Sequence, residues 1–102
     1  MEFGLTDSDR QKIDSVLVKY PAVEQAIIYG SRAKGNYRNG SDIDLTLLGE
    51  KLDLTTLLII ETELDDLLLP YTIDLSIFHK ISNPDLVEHI TRVGKLFGQY
   101  AE

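Results

Sequence analysis

Cysteine is absent from this 102-residue chain, which excludes disulfide staples and thiolate metal sites. No apolar run follows a basic start, so neither a secretory signal nor a membrane span is expected, and the cytoplasm is the default location. Cations are scarce: ten Lys and Arg stand against seventeen Asp and Glu, a formal net charge of −7. That balance opposes association with a phosphate backbone, which depends on a broad Lys/Arg surface and counterion release, so long nucleic acid is not an expected partner. What is present is ordinary for a folded protein, with 43% hydrophobic and 26% charged residues. The length suits one domain, residues 1–102, with a real core.

The few cations are placed unevenly. Between Leu52 and His79 lie Asp53, Glu61, Glu63, Asp65, Asp66 and Asp74 with no Lys or Arg, whereas Arg32, Lys34 and Arg38 crowd one short loop within "YGSRAKGNYRNGSDIDL", residues 29–45. An anion suits that loop.

Periodicity assigns the elements. "TDSDRQKIDSVLVKY" carries Ile13, Val16, Leu17 and Tyr20 on one helical stripe, with Ser8 and Gln11 in the form of a capping box, and the helix ends before Pro21. "VEQAIIYG" is short, apolar and β-branched, a buried strand. "DIDLTLL" alternates, with Asp42, Asp44 and Thr46 on one face and Ile43, Leu45 and Leu47 on the other. A helix follows, striped by Leu54, Leu57, Ile60, Leu64, Leu67 and Leu68 and stopped by Pro70, with Leu58, Ile59 and Leu69 outside the stripe. "TIDLSIF" alternates again, with Ile73, Leu75 and Ile77 opposite Asp74, Ser76 and Phe78. Asn83-Pro84 then opens a last helix striped by Leu86, Ile90, Val93 and Phe97, weakened near its end by Gly94.

Connection lengths join these pieces. Residues 31–41 are marginal for a parallel crossover, so the first two strands are expected to be antiparallel neighbours, which sets Gly30 beside the start of the second. Residues 49–71 hold a whole helix and suit a crossover between parallel strands, bringing Asp74 alongside Asp42 and Asp44. The fold class is therefore α/β in the α+β sense, a small mixed sheet with helices packed on it.

Three carboxylates on one sheet face repel one another unless a cation neutralises them. Hard oxygen ligands favour Mg²⁺ or Mn²⁺ over zinc, above all where substrate phosphates complete the shell. Two such ions about 4 Å apart serve an attacking hydroxyl and a leaving pyrophosphate. Gly30 lets the backbone approach a phosphate, and if "SRAK" opens a short helix, its N–H groups and the Ser31 hydroxyl face the same anion. Lys34 or Arg32 then balances the outer phosphates. The residues alone thus outline a triphosphate and metal site.

"GSRAKGNYRNGSDIDL", a Gly-Ser pair, ten residues and an Asp-x-Asp, resembles the signature of the polymerase-β nucleotidyltransferase superfamily, and the short chain resembles its minimal nucleotidyltransferase branch. The resemblance runs from about Val23 to Phe78, with Asp74 matching the third carboxylate. It implies a mixed sheet, two Mg²⁺ ions, and transfer of a nucleoside monophosphate from ATP or another triphosphate to a hydroxyl. It also implies a HEPN-type partner, to which minimal members act as antitoxin and on which they adenylylate a tyrosine. Carried over, Gly30 and Ser31 hold the β- and γ-phosphates, Asp42 and Asp44 bind the metals, and Asp74 holds the catalytic metal and helps deprotonate the acceptor. The alternative is a non-catalytic nucleotide-binding antitoxin that neutralises its partner by occlusion. Nothing after Asp74 resembles a domain that grips nucleic acid.

Other residues carry weaker signals. Nothing brackets His79 or His89 with ligand spacing, so neither is assigned a role. Tyr29, Tyr37 and Tyr71 suit base stacking or packing, packing being the simpler use. Leu58 and Ile59, off the helix stripe, are candidate partner contacts or scattered surface apolars.

Overall fold

The computed structural model describes residues 2–38 and 40–101. Its helices are α1 (Asp7–Leu17), α2 (Ser31–Lys34), α3 (Leu54–Asp66) and α4 (Pro84–Val93), and its strands are β1 (Gln25–Tyr29), β2 (Ile43–Leu48), β3 (Ile73–Ile77) and β4 (Lys95–Gln99). The strands form one mixed sheet in the order β3-β2-β1-β4. β1 is antiparallel to both neighbours and β2 is parallel to β3, the two pairings expected from the connection lengths.

Local chemistry starts each helix. The Thr6 hydroxyl accepts from the Asp9 N–H at 3.0 Å, and Asp7 and Asp9 lie in the first turn, where the helix dipole favours negative charge. Thr6, in extended backbone, is therefore the cap that the sequence pattern gave to Ser8. Asp53 caps α3 by accepting from the Thr56 N–H at 2.8 Å. Asn83 caps α4 with Pro84 at its start, as the sequence predicts.

One face of the sheet carries the main core. Ala26, Ile28, Ile43, Leu45, Leu47, Leu75 and Ile77 meet Ile13, Val16 and Leu17 of α1 and Ile60 and Leu64 of α3. Burying these side chains is the main favourable term in folding, at about 25 cal/mol per Å² of apolar surface. The α3 stripe is narrower than its sequence suggests. Leu54 is exposed, and the helix ends before Leu68, which adopts a left-handed conformation (φ 55) and turns to solvent well ahead of Pro70. Leu57 and Leu67 pack on the core, and so does Leu69.

The larger departure is at the C-terminal end. The stripe through Phe97 predicts a continuing helix, but α4 stops at Val93 and residues 95–99 form β4. At Gly94 the backbone turns extended (φ −64, ψ 146), packed so closely on Ile90 and Ile27 that no Cβ fits. β4 then covers the open edge of β1, whose unpaired N–H and C=O groups would otherwise template aggregation. Phe97 is buried in the core, and its carbonyl accepts from Arg10, whose guanidinium lies 4.8 Å from the Phe97 ring centroid. A local pattern that reads equally as a helix turn was captured by a free strand edge.

Candidate active site

The opposite face of the sheet is polar, and its geometry follows from strand register. Asp44 pairs with Tyr29 across β1 and with Asp74 across β3, so Tyr29, Asp44 and Asp74 make one row over three strands. Ile27, Thr46 and Ser76 make the next. Asp42 stands exposed just ahead of β2, Asp44 is half-buried, and Asp74 is exposed at the sheet edge. Partial burial, then the charges of Asp74 and Asp42, raise the Asp44 pKa above the ordinary carboxylate value, against the opposing pull of His89 and Arg32. These three carboxylates therefore share one electrostatic field.

Gly30 closes the row at the end of β1. Its φ of 74° lies where side chains are rarely found, and a Cβ there would overlap the Asp44 carboxylate and come within 3.3 Å of its Cγ. Ser31 begins the short α2 directly after it, and the first turn of any helix leaves N–H groups without intrahelical partners. Lys34 is exposed at the end of α2 and, among the described residues, belongs to none of the ion pairs.

Arg32 departs from its expected role. It is only 2% exposed, and its guanidinium donates to the Ser41 carbonyl at 2.7 and 3.1 Å and to the Phe3 carbonyl at 2.8 Å. The rings of Tyr71 and Tyr37 lie 4.8 and 5.2 Å from it. Its donors face backbone, so Arg32 ties the glycine-rich loop to the N-terminal segment rather than reaching a phosphate. Tyr37 and Tyr71 are accounted for by the same contact. Among the described residues, Lys34 and Arg38 are the exposed cations of this loop that belong to none of the ion pairs.

Two residues belong to the site that its motifs do not include. Tyr29, the β1 member of the row, is buried, its hydroxyl beside Ser76, which in turn donates to Thr46 at 2.9 Å. Burial, with Asp74 and Asp44 nearby, raises the phenol pKa. His89 of α4 meets the Tyr29 ring edge-on at 6.2 Å between centroids, on the side from which it acts on Asp44. The signal available in the sequence was faint: Tyr29 precedes the Gly-Ser pair, and His89 adjoins the buried Ile90 on the α4 stripe.

The donor set can be tested against a hard cation. Among the described residues, no three carboxylates or imidazoles are drawn close enough to enclose an ion alone. Mg²⁺ does not require such a cage, since it binds through one or two carboxylates and keeps water or phosphate oxygens for the rest. Asp44 with Asp74 across the register, and Asp42 just upstream, fits that habit in donor type and number.

A small mixed sheet carrying an Asp-x-Asp strand, a parallel neighbour with a matching aspartate and a Gly-Ser turn at one edge has the architecture of a nucleotidyltransferase. The family described as Polymerase beta, Nucleotidyltransferase matches residues 11–101, and the chain belongs to it. Among solved structures, a chain of a toxin–antitoxin complex crystallised with AMP-PNP is similar over 88% of this chain and 73% of its own, at 23% identity and a TM-score of 0.72. A chain of the complex of a tri-AMPylated Shewanella oneidensis HEPN toxin with an MNT antitoxin is similar over 93% of this chain and 73% of its own, at 20% identity and a TM-score of 0.69. A MntA–HepT toxin–antitoxin complex matches 92% and 73%, at 20% identity and a TM-score of 0.68. At these identities the likeness shows the fold. No curated protein is detectably similar in sequence. No described helix is long and apolar enough to cross a membrane.

Proposed function

We propose that this protein is a Mg²⁺-dependent nucleotidyltransferase that moves AMP from ATP to a tyrosine hydroxyl of a HEPN-type partner and so acts as its antitoxin. One observation carries the reading: Asp44 and Asp74 stand opposite each other in parallel register, with Gly30 packed against the first of them. The named neighbours support the donor and the acceptor, since one was crystallised with AMP-PNP and another contains an AMPylated HEPN toxin.

In this scheme Gly30 admits the β- and γ-phosphates to the backbone, Ser31 donates its hydroxyl to them, and Lys34 balances their charge. Asp42, Asp44 and Asp74 would hold Mg²⁺, which when bound supplies neutralisation of the phosphates and polarisation of the α-phosphoryl group. The acceptor oxygen forms the new bond to the α-phosphorus as the bond to the β-phosphate oxygen breaks and pyrophosphate leaves. Asp74, exposed at the sheet edge, takes the acceptor proton. A docked partner protein supplies the positioning of that hydroxyl.

The test is incubation with a HEPN-type protein from the same source, Mg²⁺ and labelled ATP, followed by intact-mass analysis. The expected product is AMP on a partner tyrosine, lost in Asp44→Asn. Partner neutralisation without label, unaffected by Asp44→Asn, would replace catalysis with occlusion.

A further inference from the structure

β3 is the outermost strand on one side of the sheet, and its hydrogen bonds reveal which groups are left over. The Thr72 carbonyl accepts from the Ile43 N–H at 2.9 Å. In the parallel β2–β3 ladder this makes Asp74 and Ser76 the residues whose N–H and C=O groups face β2, so those of Ile73, Leu75 and Ile77 face outward. Among the described residues, no backbone bond is made on that side. Sheet edges are normally blunted. The opposite edge strand, β4, pairs through a register shift, whereas β3 runs in unbroken register over its length.

This edge lies between two features that the fold itself does not use. On the polar face is Asp74, exposed at the end of the row begun by Tyr29 and Asp44. On the core face is α3, which packs on β3 and turns Glu63 toward Lys19 and Tyr20 just past α1. At 100° per residue, Leu54 and Leu58 fall on the flank of α3 away from Glu63. They are 62% and 52% exposed.

An added strand suits both features, because its side chains alternate between the two faces. Asp74 turns its own N–H and C=O to β2, so a residue opposite it in antiparallel pairing is a non-hydrogen-bonded neighbour, with Cα atoms about 4.5 Å apart. The side chain of that residue extends the carboxylate row. Its two neighbours in sequence point instead to the α3 flank, where apolar side chains cover Leu54 and Leu58.

We infer, on the strength of the acceptor reading above, that the outer edge of β3 binds an extended segment of the acceptor protein as a fifth strand, with the hydroxyl-bearing residue opposite Asp74 and apolar residues on either side of it. Main-chain bonds give such a contact its affinity and alternating side chains its specificity. A second copy of this chain is a poor occupant, since pairing two β3 edges gathers two sets of Asp42, Asp44 and Asp74 on a protein of net charge −7.

Amide exchange, read residue by residue by NMR on the full chain with and without a HEPN-type protein from the same source, tests this. The Asp74 and Ser76 amides should exchange slowly in the free chain, and partner binding should slow Leu75 and Ile77 about tenfold or more. Ile73→Pro removes one outward N–H and spares the bonds to β2, at the first residue of a strand, where proline is tolerated. It should weaken the partner about tenfold with Mg²⁺-ATP binding unchanged, and Ile73→Val should bind as wild type does. Partner binding with Leu75 and Ile77 exchanging as in the free chain overturns the fifth strand, whether or not the proline variant folds, and leaves the acceptor reading standing if label still reaches the partner. Slowing that appears without partner and grows with protein concentration gives the edge to a second copy and overturns it too. Absence of both partner binding and labelling would instead sink the acceptor reading, and the fifth strand with it.

Discussion

Gly30 and Asp44 fill one space: a Cβ on the glycine would occupy the position of the Asp44 carboxylate. The glycine of the Gly-Ser turn and the aspartate of β2 are thus a single steric unit, joined through the β1–β2 pairing.

Gly30→Ala should therefore cost about 1–3 kcal/mol in folding through its positive φ and the clash. Combining it with Asp44→Gly removes the clash and leaves the backbone strain, so the Gly30→Ala penalty should be smaller in that background. Urea denaturation of the four proteins measures the coupling. A penalty independent of residue 44 would separate the two residues.

Asp44→Asn should abolish nucleotidyl transfer, by several orders of magnitude, while stabilising the metal-free fold at pH 7. The sign follows from linkage. The folded pKa of Asp44 is raised by burial, Asp74 and Asp42, so the folded state binds its proton more tightly than the unfolded one, and stability falls as pH rises through the folded value. Below the unfolded value, near 4 for an aspartate, the carboxyl is neutral and the advantage of Asn disappears. Denaturation midpoints of both proteins across pH, with chelator present, give the comparison.

Arg32 and Lys34 should separate cleanly. Removing the Arg32 guanidinium leaves the Ser41 and Phe3 carbonyls without their donor and uncovers the Tyr37 and Tyr71 rings, so Arg32→Ala should lose about 2–4 kcal/mol. Lys34→Ala should stay within about 0.5 kcal/mol of wild type, as exposed substitutions do, yet bind triphosphate more weakly. Melting curves and ATP titration on each variant show whether one lysine holds the anion and one arginine the loop.

On α3, Leu58 and Ile59 are 52% and 48% exposed, outside the side that buries Ile60 and Leu64. Leu58→Asp or Ile59→Asp should weaken binding to the HEPN-type partner while sparing ATP and Mg²⁺ binding. Equal partner affinity in a pull-down titration would move the contact to another surface.

Much of this site was legible along the chain because its chemistry is local. A glycine-serine turn, a two-residue carboxylate spacing and an alternating strand with one aspartate are each written within a few residues, and connection lengths alone distinguish the antiparallel from the parallel pairing. What the sequence could not carry are the partners that meet from far apart. Arg32 reads as a loop cation until Phe3 and Tyr71 close around it, and His89 has no motif until α4 lays it against Tyr29. The residues after Gly94 have an apolar spacing that serves a helix, but the free edge of β1 offered hydrogen bonds that a frayed helix end could not match, and β4 formed there instead. Residue type and short spacing determined which groups the site contains. Only tertiary structure decided which of them share the polar face of the sheet and which are drawn into contacts elsewhere, because burial and strand pairing depend on neighbours that are distant in sequence.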